Sequence, residues 1–284
     1  MKALLWTLLL CGGTALAQGR DESTLRLCAA NDDLPYANAR GEGFEDRIAT
    51  LIARDLGKRL ERVGFSDPRY VVRDLLDKGE CDMLTGVDAG DPRLATTASY
   101  YRSDYVFITR ADNPATVKNW DDDYLKTARI GVVPGTPAET MLVQIGRWAD
   151  MFPYLMALGD NKAPRNRYVR YDTAKLVRDV GSGEIDVAVA WAPSVARFIK
   201  ASDVPLRVVD VPDGARKSNG EAVQFSYDTA VGVRRGDTEL RDRIDAVLRG
   251  RQTEIRELLR NEGLRIAPPE QGARLQPNAK DKQG

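Results

Sequence analysis

A missing residue type sets the first limit on the chemistry open to this chain, since none of its 284 residues is histidine. Without histidine, neither a Ser-His-Asp nor a Cys-His nucleophile system can form. Histidine-ligated zinc, copper and c-type haem sites are excluded for the same reason. The carboxylates Asp33, Asp88 and Glu139 remain as candidate general bases, but none of them lies in a recognised catalytic motif. We therefore predict no catalytic residues and no cofactor.

The run Asp121 to Asp123 places three carboxylates, the side chains that bind calcium, next to one another. Three consecutive carboxylates point in different directions and lack the alternating ligand spacing of a calcium loop. Their position before Tyr124 and Leu125 favours helix capping instead. We predict no metal site.

Residues 1–17 have the pattern of a secretory signal peptide. They contain one lysine, a short apolar run and an Ala-Leu-Ala sequence typical of a cleavage site. The apolar run is shorter than the roughly 20 residues that a membrane span needs. The full chain has no net charge, and loss of Lys2 with the signal leaves −1. A periplasmic protein without a membrane span is predicted, and nucleic acid is not expected as a partner.

Cys28 and Cys81 are the cysteines left after cleavage. An exported chain meets an oxidising compartment, so an even pair favours one disulfide. The alternative is a pair of buried thiols, because the strand register could hold the two residues apart.

Apolar periodicity predicts strands and helices that alternate along the chain. Strands are predicted over 25–29, 61–65, 81–87, 129–133, 184–190 and 206–210, and helices over 43–56, 68–78, 173–180 and 195–202, with a further helix starting at 135–139. This alternation favours an α/β fold with mainly parallel sheets flanked by helices. Residues 268–284 are polar and proline-containing, which predicts a disordered tail.

Two segments, 100–110 and 230–248, resemble the hinge strands and closing helix of periplasmic solute-binding proteins of the amino-acid-receptor type. The resemblance implies a two-lobed periplasmic-binding-protein fold of type II, in which each lobe has a mixed, mainly parallel sheet and two hinge strands connect the lobes. Lobe 1 would comprise 24–109 plus 229–267, and lobe 2 would comprise 110–228. Such a hinge permits closure of one lobe over the other.

The same resemblance implies where a ligand would be held. An arginine that forks a carboxylate corresponds to Arg93, and the helix start that offers N–H groups to an anion lies at Thr136. The aspartate that holds an ammonium group is replaced by Trp191, and an aromatic residue that covers the ligand is replaced by Asp33. With Asp88, these residues form the predicted cleft site. For Arg93, Thr136 and Trp191 the alternative is a structural role, in pairing, helix initiation and packing respectively.

Three runs, at 86–93, 100–107 and 162–168, together indicate a smaller group within these proteins. Together they are similar to the MxaJ proteins, periplasmic accessory components of methanol dehydrogenase systems, over residues 24 to 268. The resemblance implies a protein partner, a component of a quinoprotein methanol dehydrogenase whose assembly, maturation or activity the chain would assist. The alternatives are a solute receptor that delivers a small polar or anionic ligand to an ABC transporter, and a lyase or isomerase built on the same clamp.

One segment of lobe 2 is about ten residues longer than in a minimal receptor of this fold. It is rich in the residue types found at the centres of protein interfaces. The predicted partner surface comprises Trp148, Phe152, Tyr154, Met156, Arg165 and Arg167. The alternative is that the aromatic residues pack against lobe 2.

Overall fold

The computed structural model describes residues 21–157 and 169–266 of the chain. The helices are α1 (Phe44–Asp55), α2 (Pro137–Gln144), α3 (Thr173–Ser182), α4 (Ala192–Lys200), α5 (Thr238–Gly250) and α6 (Gln252–Asn261). The strands are β1 (Thr24–Ala30), β2 (Asp32–Asp33), β3 (Ala37–Asn38), β4 (Arg59–Phe65), β5 (Met83–Asp88), β6 (Ala95–Thr96), β7 (Tyr101–Arg110), β8 (Ile130–Val132), β9 (Phe152–Pro153), β10 (Leu155–Ala157), β11 (Val169–Tyr171), β12 (Val187–Trp191), β13 (Leu206–Asp210) and β14 (Ser226–Val233).

The first half of the sheet is built around β1, which runs parallel to β4 on one side and to β5 on the other. Helix α1 packs on this half and turns Ile48 and Ile52 fully into the core. These two residues are four apart, the spacing that places side chains on one face of a helix. The structure thus confirms the amphipathic helix predicted at 43–56.

Two long strands connect the halves. Tyr101 to Asp104 of β7 pair antiparallel with Ser226 to Thr229 of β14. From Tyr105 onward β7 pairs with β12 and β13, whereas the rest of β14 pairs with β5 and β6. Each strand therefore has one end in each half. The lobe boundaries given above stay predictions.

The second half is built around β12, which is parallel to β8 and antiparallel to β7, with β9 beyond β8. Helix α3 buries Leu176, Val177 and Val180 against it. Each half has its own apolar cores. Ala196 of α4 is an exception, because it belongs to the core of the first half.

A disulfide joins Cys28 of β1 to Cys81, just before β5, with the two Cα atoms 5.5 Å apart. Both residues are buried, in a cluster with Leu76 and Leu84. Since β1 and β5 are neighbours, the register brings the sulfur atoms together, and the predicted disulfide is confirmed.

The helix predicted at 68–78 is wrong as a regular α-helix. Pro68–Tyr70 form a 3-10 turn and Val72–Leu76 a π-helical turn, closed by a bond from the Asp77 N–H to the Val72 carbonyl at 2.8 Å. Pro68 fits the first turn as expected, but the β-branched pair Val71 and Val72 is a weak helix former. Strands β9, β10 and β11 were not predicted, because each has only two or three residues and so shows no periodicity.

No helix in the described part of the chain has the length and apolar character needed to cross a membrane. Residues 1–17 and 268–284, predicted as signal peptide and tail, lie outside the described residues.

Candidate functional site

A cavity of about 550 Å³ lies at the carboxyl ends of β1, β4 and β5. Ligands of open α/β sheets bind in the crevice outside this edge. Three of the predicted cleft residues, Asp33, Asp88 and Arg93, line the cavity together. Its apolar wall includes Phe65 and Leu84.

Arg93 is held by a neighbour two residues away. Its Nε lies 3.0 Å from Oδ1 of Asp91 and its Nη2 lies 2.7 Å from Oδ2, and the Arg93 amide also donates to Asp91. These hydrogen bonds hold the pKa of the Asp91 carboxyl below its ordinary value. The fork of the guanidinium is therefore engaged within the chain, on a side chain that is 63% exposed.

One backbone donor beside the start of α2 is also engaged within the chain. The Gly135 N–H donates to Oε2 of Glu139 at 2.6 Å, which places a carboxylate of the chain itself at the helix N-terminus. The Thr136 hydroxyl donates to the Val133 carbonyl at 2.6 Å, and Pro137 has no N–H. A second cavity, of about 570 Å³, adjoins these residues. An incoming anion would have to displace Glu139.

Trp191 lies at the end of β12, where it packs among rings from both connecting strands. Its ring centre is 5.5 Å from that of Tyr105 and 5.7 Å from that of Tyr227. These tilted and edge-to-face arrangements are the favourable ones for aromatic pairs. Trp191 therefore packs against the core of the second half, and it remains partly accessible.

Asp88 lies at the end of β5 and lines the first cavity. Burial and the nearby Asp91 carboxylate raise its pKa above the ordinary value. Its charge also contributes to the raised pKa of Tyr227, after burial. Asp33, in the two-residue strand β2, is exposed at the rim of the cavity. The carboxylates of Asp33 and Asp88 therefore line the same cavity as Arg93, and they would repel the carboxylate of a ligand bound there.

Sequence reasoning missed Glu45, which lines the first cavity from α1 and is only 3% exposed. The Tyr100 hydroxyl donates to its Oε2 at 2.6 Å. Burial raises the pKa of Glu45 to about 7, although the hydrogen bonds from Tyr100 and Tyr101 oppose the shift. A signal was present, because Glu45 lies three residues before Ile48 and so falls on the apolar face of the helix.

The predicted partner residues separate into two groups. Trp148 is 53% exposed, and its Nε1 donates to Oε1 of Glu139 at 3.0 Å. Phe152, on β9, is half-buried. Tyr154 is 5% exposed and its hydroxyl donates to Asp179 at 2.7 Å, so it packs inside the second half. The side chain of Met156 and residues Arg165 and Arg167 lie outside the described part.

Two further exposed apolar residues accompany Trp148. Val143 and Tyr171 are 52% and 50% exposed. Val143 follows Glu139 by one turn of α2, and a Cβ on Gly135 would lie 3.9 Å from the Tyr171 hydroxyl. We call Val143, Trp148 and Tyr171 the Trp148 patch. Of these residues, Val143 lines the second cavity.

Comparison with known proteins gives consistent likenesses. The family model described as bacterial extracellular solute-binding protein matches residues 75–230. Protein MoxJ of Methylorubrum extorquens is 43% identical over 250 residues, which are 87% of this chain and 83% of the relative. Protein MoxJ of Paracoccus denitrificans is 35% identical, over 87% of this chain and 91% of the relative.

Among solved structures, that of MxaJ from Methlophaga aminisulfidivorans MPT superposes with a TM-score of 0.78 at 37% identity, over 86% of this chain and all of that one. The periplasmic binding protein XoxJ from Methylobacterium extorquens AM1 gives 0.65 at 26% identity, also over 86% of this chain and all of that one. These likenesses confirm the predicted α/β fold of type II periplasmic binding proteins, with a mixed sheet flanked by helices.

Proposed function

This chain belongs to the MoxJ family within the bacterial extracellular solute-binding proteins, and on that premise we propose that it is a non-enzymatic accessory protein of methanol oxidation in the periplasm. Its partner is a component of a quinoprotein methanol dehydrogenase. The chain binds this component and assists its assembly, maturation or activity. The two-lobed clamp supplies the scaffold for that contact.

The observation that carries the proposal is that a carboxylate of the chain itself lies at each of the two anion-holding positions. Arg93 is forked by Asp91, and the Gly135 N–H, just before α2, donates to Glu139. A receptor for α-amino acids needs these groups open, because a guanidinium fork and a helix N-terminus are what recognise a carboxylate. Here the chain supplies the carboxylates itself, which disfavours the receptor role.

The Trp148 patch supports a protein partner. Half-exposed Trp and Tyr side chains are enriched among the residues that dominate binding energy at interfaces. Trp148 is held by its hydrogen bond to Glu139, so less side-chain entropy is lost when a partner covers it. The proposed contact therefore centres on Trp148 and continues to Phe152, while the buried Tyr154 supports β9 from inside.

We expect Trp148→Ala to weaken binding of the purified dehydrogenase roughly tenfold or more, the loss typical of an aromatic residue at the centre of an interface. Surface plasmon resonance with the chain immobilised, or co-purification from periplasm, measures the change. Thermal melting of the variant checks that it still folds.

Tyr70→Ala is the matched control, because Tyr70 is an aromatic residue of similar exposure, 43%, in the first half. It should leave the dissociation constant of the dehydrogenase complex unchanged. Equal binding by Trp148→Ala and the unaltered chain would remove the patch from the proposed contact, and absence of any dehydrogenase binding would overturn the proposed function.

A second candidate function, solute reception for an ABC transporter, is favoured by the first cavity alone. Its volume of about 550 Å³ suits a small ligand. A receptor saturated at 100 times its dissociation constant would gain about 2.7 kcal/mol of stability. We expect no rise in melting temperature with the twenty amino acids or with small carboxylic acids, tested by differential scanning fluorimetry. A clear rise with any of them would favour the receptor.

A further inference from the structure

Residues 261–266, which we call the C-terminal strap, comprise the last residue of α6, a helix of the first half, and the five residues after it, and they lie against the second half. The Lys200 ammonium, at the end of α4, donates to the Asn261 carbonyl at 2.9 Å. Arg265 donates to the Val208 carbonyl of β13 and pairs with Asp210. The strap thus contacts two elements of the second half, apart from the connecting strands β7 and β14.

Glu262 is the centre of these contacts. Its side chain is 8% exposed and accepts from Nε of Arg197, on α4, at 2.6 Å. The same carboxylate pairs with Arg47 of α1, in the first half. Arg197 also donates to the Glu42 carbonyl at 3.1 Å. One nearly buried carboxylate therefore binds a guanidinium from each half, and removing it would leave two neighbouring cations without their shared partner.

The backbones of the strap and of α4 come close together at Gly263. This residue adopts φ +91°, a conformation that favours glycine. A Cβ at this position would lie 2.8 Å from the Ala196 carbonyl oxygen. Ala196 and Leu264 are buried in the core of the first half, at 6% and 4% exposure. The strap and α4 therefore pack without a gap.

Closure of a two-lobed clamp requires one half to rotate about the connecting strands. Helix α4 begins directly after Trp191, so it joins the aromatic cluster of the cleft to the strap as one rigid element. We propose that the C-terminal strap fastens the two halves at a single opening through Glu262, so that the cleft does not open and close around a solute. This inference goes beyond the proposed function and does not rest on it.

Electron–electron double resonance between spin labels on the two halves tests the proposal. Lys78→Cys and Lys126→Cys introduce the labels, since these side chains are 63% and 74% exposed. Of the three native cysteines, Cys28 and Cys81 are in the disulfide and Cys11 lies in the predicted signal peptide. The labelled chain should give one narrow distance distribution. Glu262→Gln, and separately Arg197→Met, should each add a shifted second population. Arg197→Met leaves the pair of Arg47 and Glu262 intact, so it perturbs the first half least.

The matched control is Glu254→Gln on α6, whose carboxylate pairs with Arg54 within the first half. This variant should keep the single distribution of the parent, and melting curves confirm that all variants fold. Two populations in the parent, or one unshifted population in both Glu262→Gln and Arg197→Met, would overturn the proposal. Dehydrogenase binding is measured separately, so such a failure is distinct from failure of the proposed function.

Discussion

Loss of the disulfide between Cys28 and Cys81 should lower the free energy of unfolding by about 4 kcal/mol, because the bridge closes a loop between residues 53 apart in sequence. In the chain-entropy model, most of this comes from the greater freedom of the unfolded chain once the loop is open. The bridge also ties β1 to the start of β5, below the wall of the first cavity. Urea unfolding with and without reductant measures the difference.

Two forms of the chain without the bridge separate the effect of the cross-link from the effect of the side chains. The reduced parent keeps both sulfur atoms, whereas Cys28→Ala with Cys81→Ala removes them from a buried cluster. If the cross-link dominates, the reduced parent should lose nearly as much stability as the double variant. A reduced parent as stable as the oxidised one would contradict the prediction.

The parts of the fold that could be predicted from the residues themselves are those that depend on the periodicity of apolar residues or on the cellular compartment of the chain. Ile48 and Ile52 share one face of α1 because helical spacing requires it, whatever surrounds the helix. The predicted export of the chain to an oxidising compartment favoured a disulfide between Cys28 and Cys81. The structure contains this disulfide, because β1 and β5 are neighbours in the sheet. The connecting strands were predicted in another way, from the resemblance of segments 100–110 and 230–248 to the hinge strands of solute-binding proteins.

Burial of individual aromatic residues could not be predicted in the same way. Trp148 and Tyr154 belong to one residue class and lie six positions apart, yet one is exposed and the other is buried. Gly131 of β8 leaves room for the buried Tyr154, because a Cβ at this position would lie 2.8 Å from the Tyr154 ring. A glycine inside a buried strand indicates close approach of another group, but sequence does not identify that group.

The state of the cleft was the hardest feature to predict, because it depends on which short-range pairs form. Sequence left Arg93 free to pair with Asp88 or Asp91, and the structure selects Asp91 through both side-chain and backbone donors. Glu139 was considered only as a base, yet both of its oxygens are hydrogen-bonded, one by Gly135 and one by Trp148. Both carboxylates therefore act on groups that a ligand would otherwise use.

Glu45→Gln should stabilise the protein above neutral pH and remove part of its pH dependence. In the folded state the pKa of Glu45 is raised from 4.5 to about 7, so the native state holds a proton that the unfolded chain releases earlier. This contribution to stability is fully present below about pH 4.5 and is lost as pH rises through about 7. The loss is on the order of 3 kcal/mol for such a shift. A glutamine keeps the acceptor for Tyr100 but cannot ionise.

Chemical unfolding between pH 4 and 8 checks the prediction as the difference between parent and variant. The two should be similar in stability at pH 4, and Glu45→Gln should be the more stable at pH 8. Tyr100→Phe provides a control of opposite direction, because it removes the 2.6 Å hydrogen bond that supports the ionised carboxylate and leaves the titration in place. That variant should lose more stability than the parent as pH rises. Parallel profiles for the parent and Glu45→Gln would show that Glu45 ionises in the folded state as it does in the unfolded chain, and the first cavity would then carry its full negative charge at neutral pH.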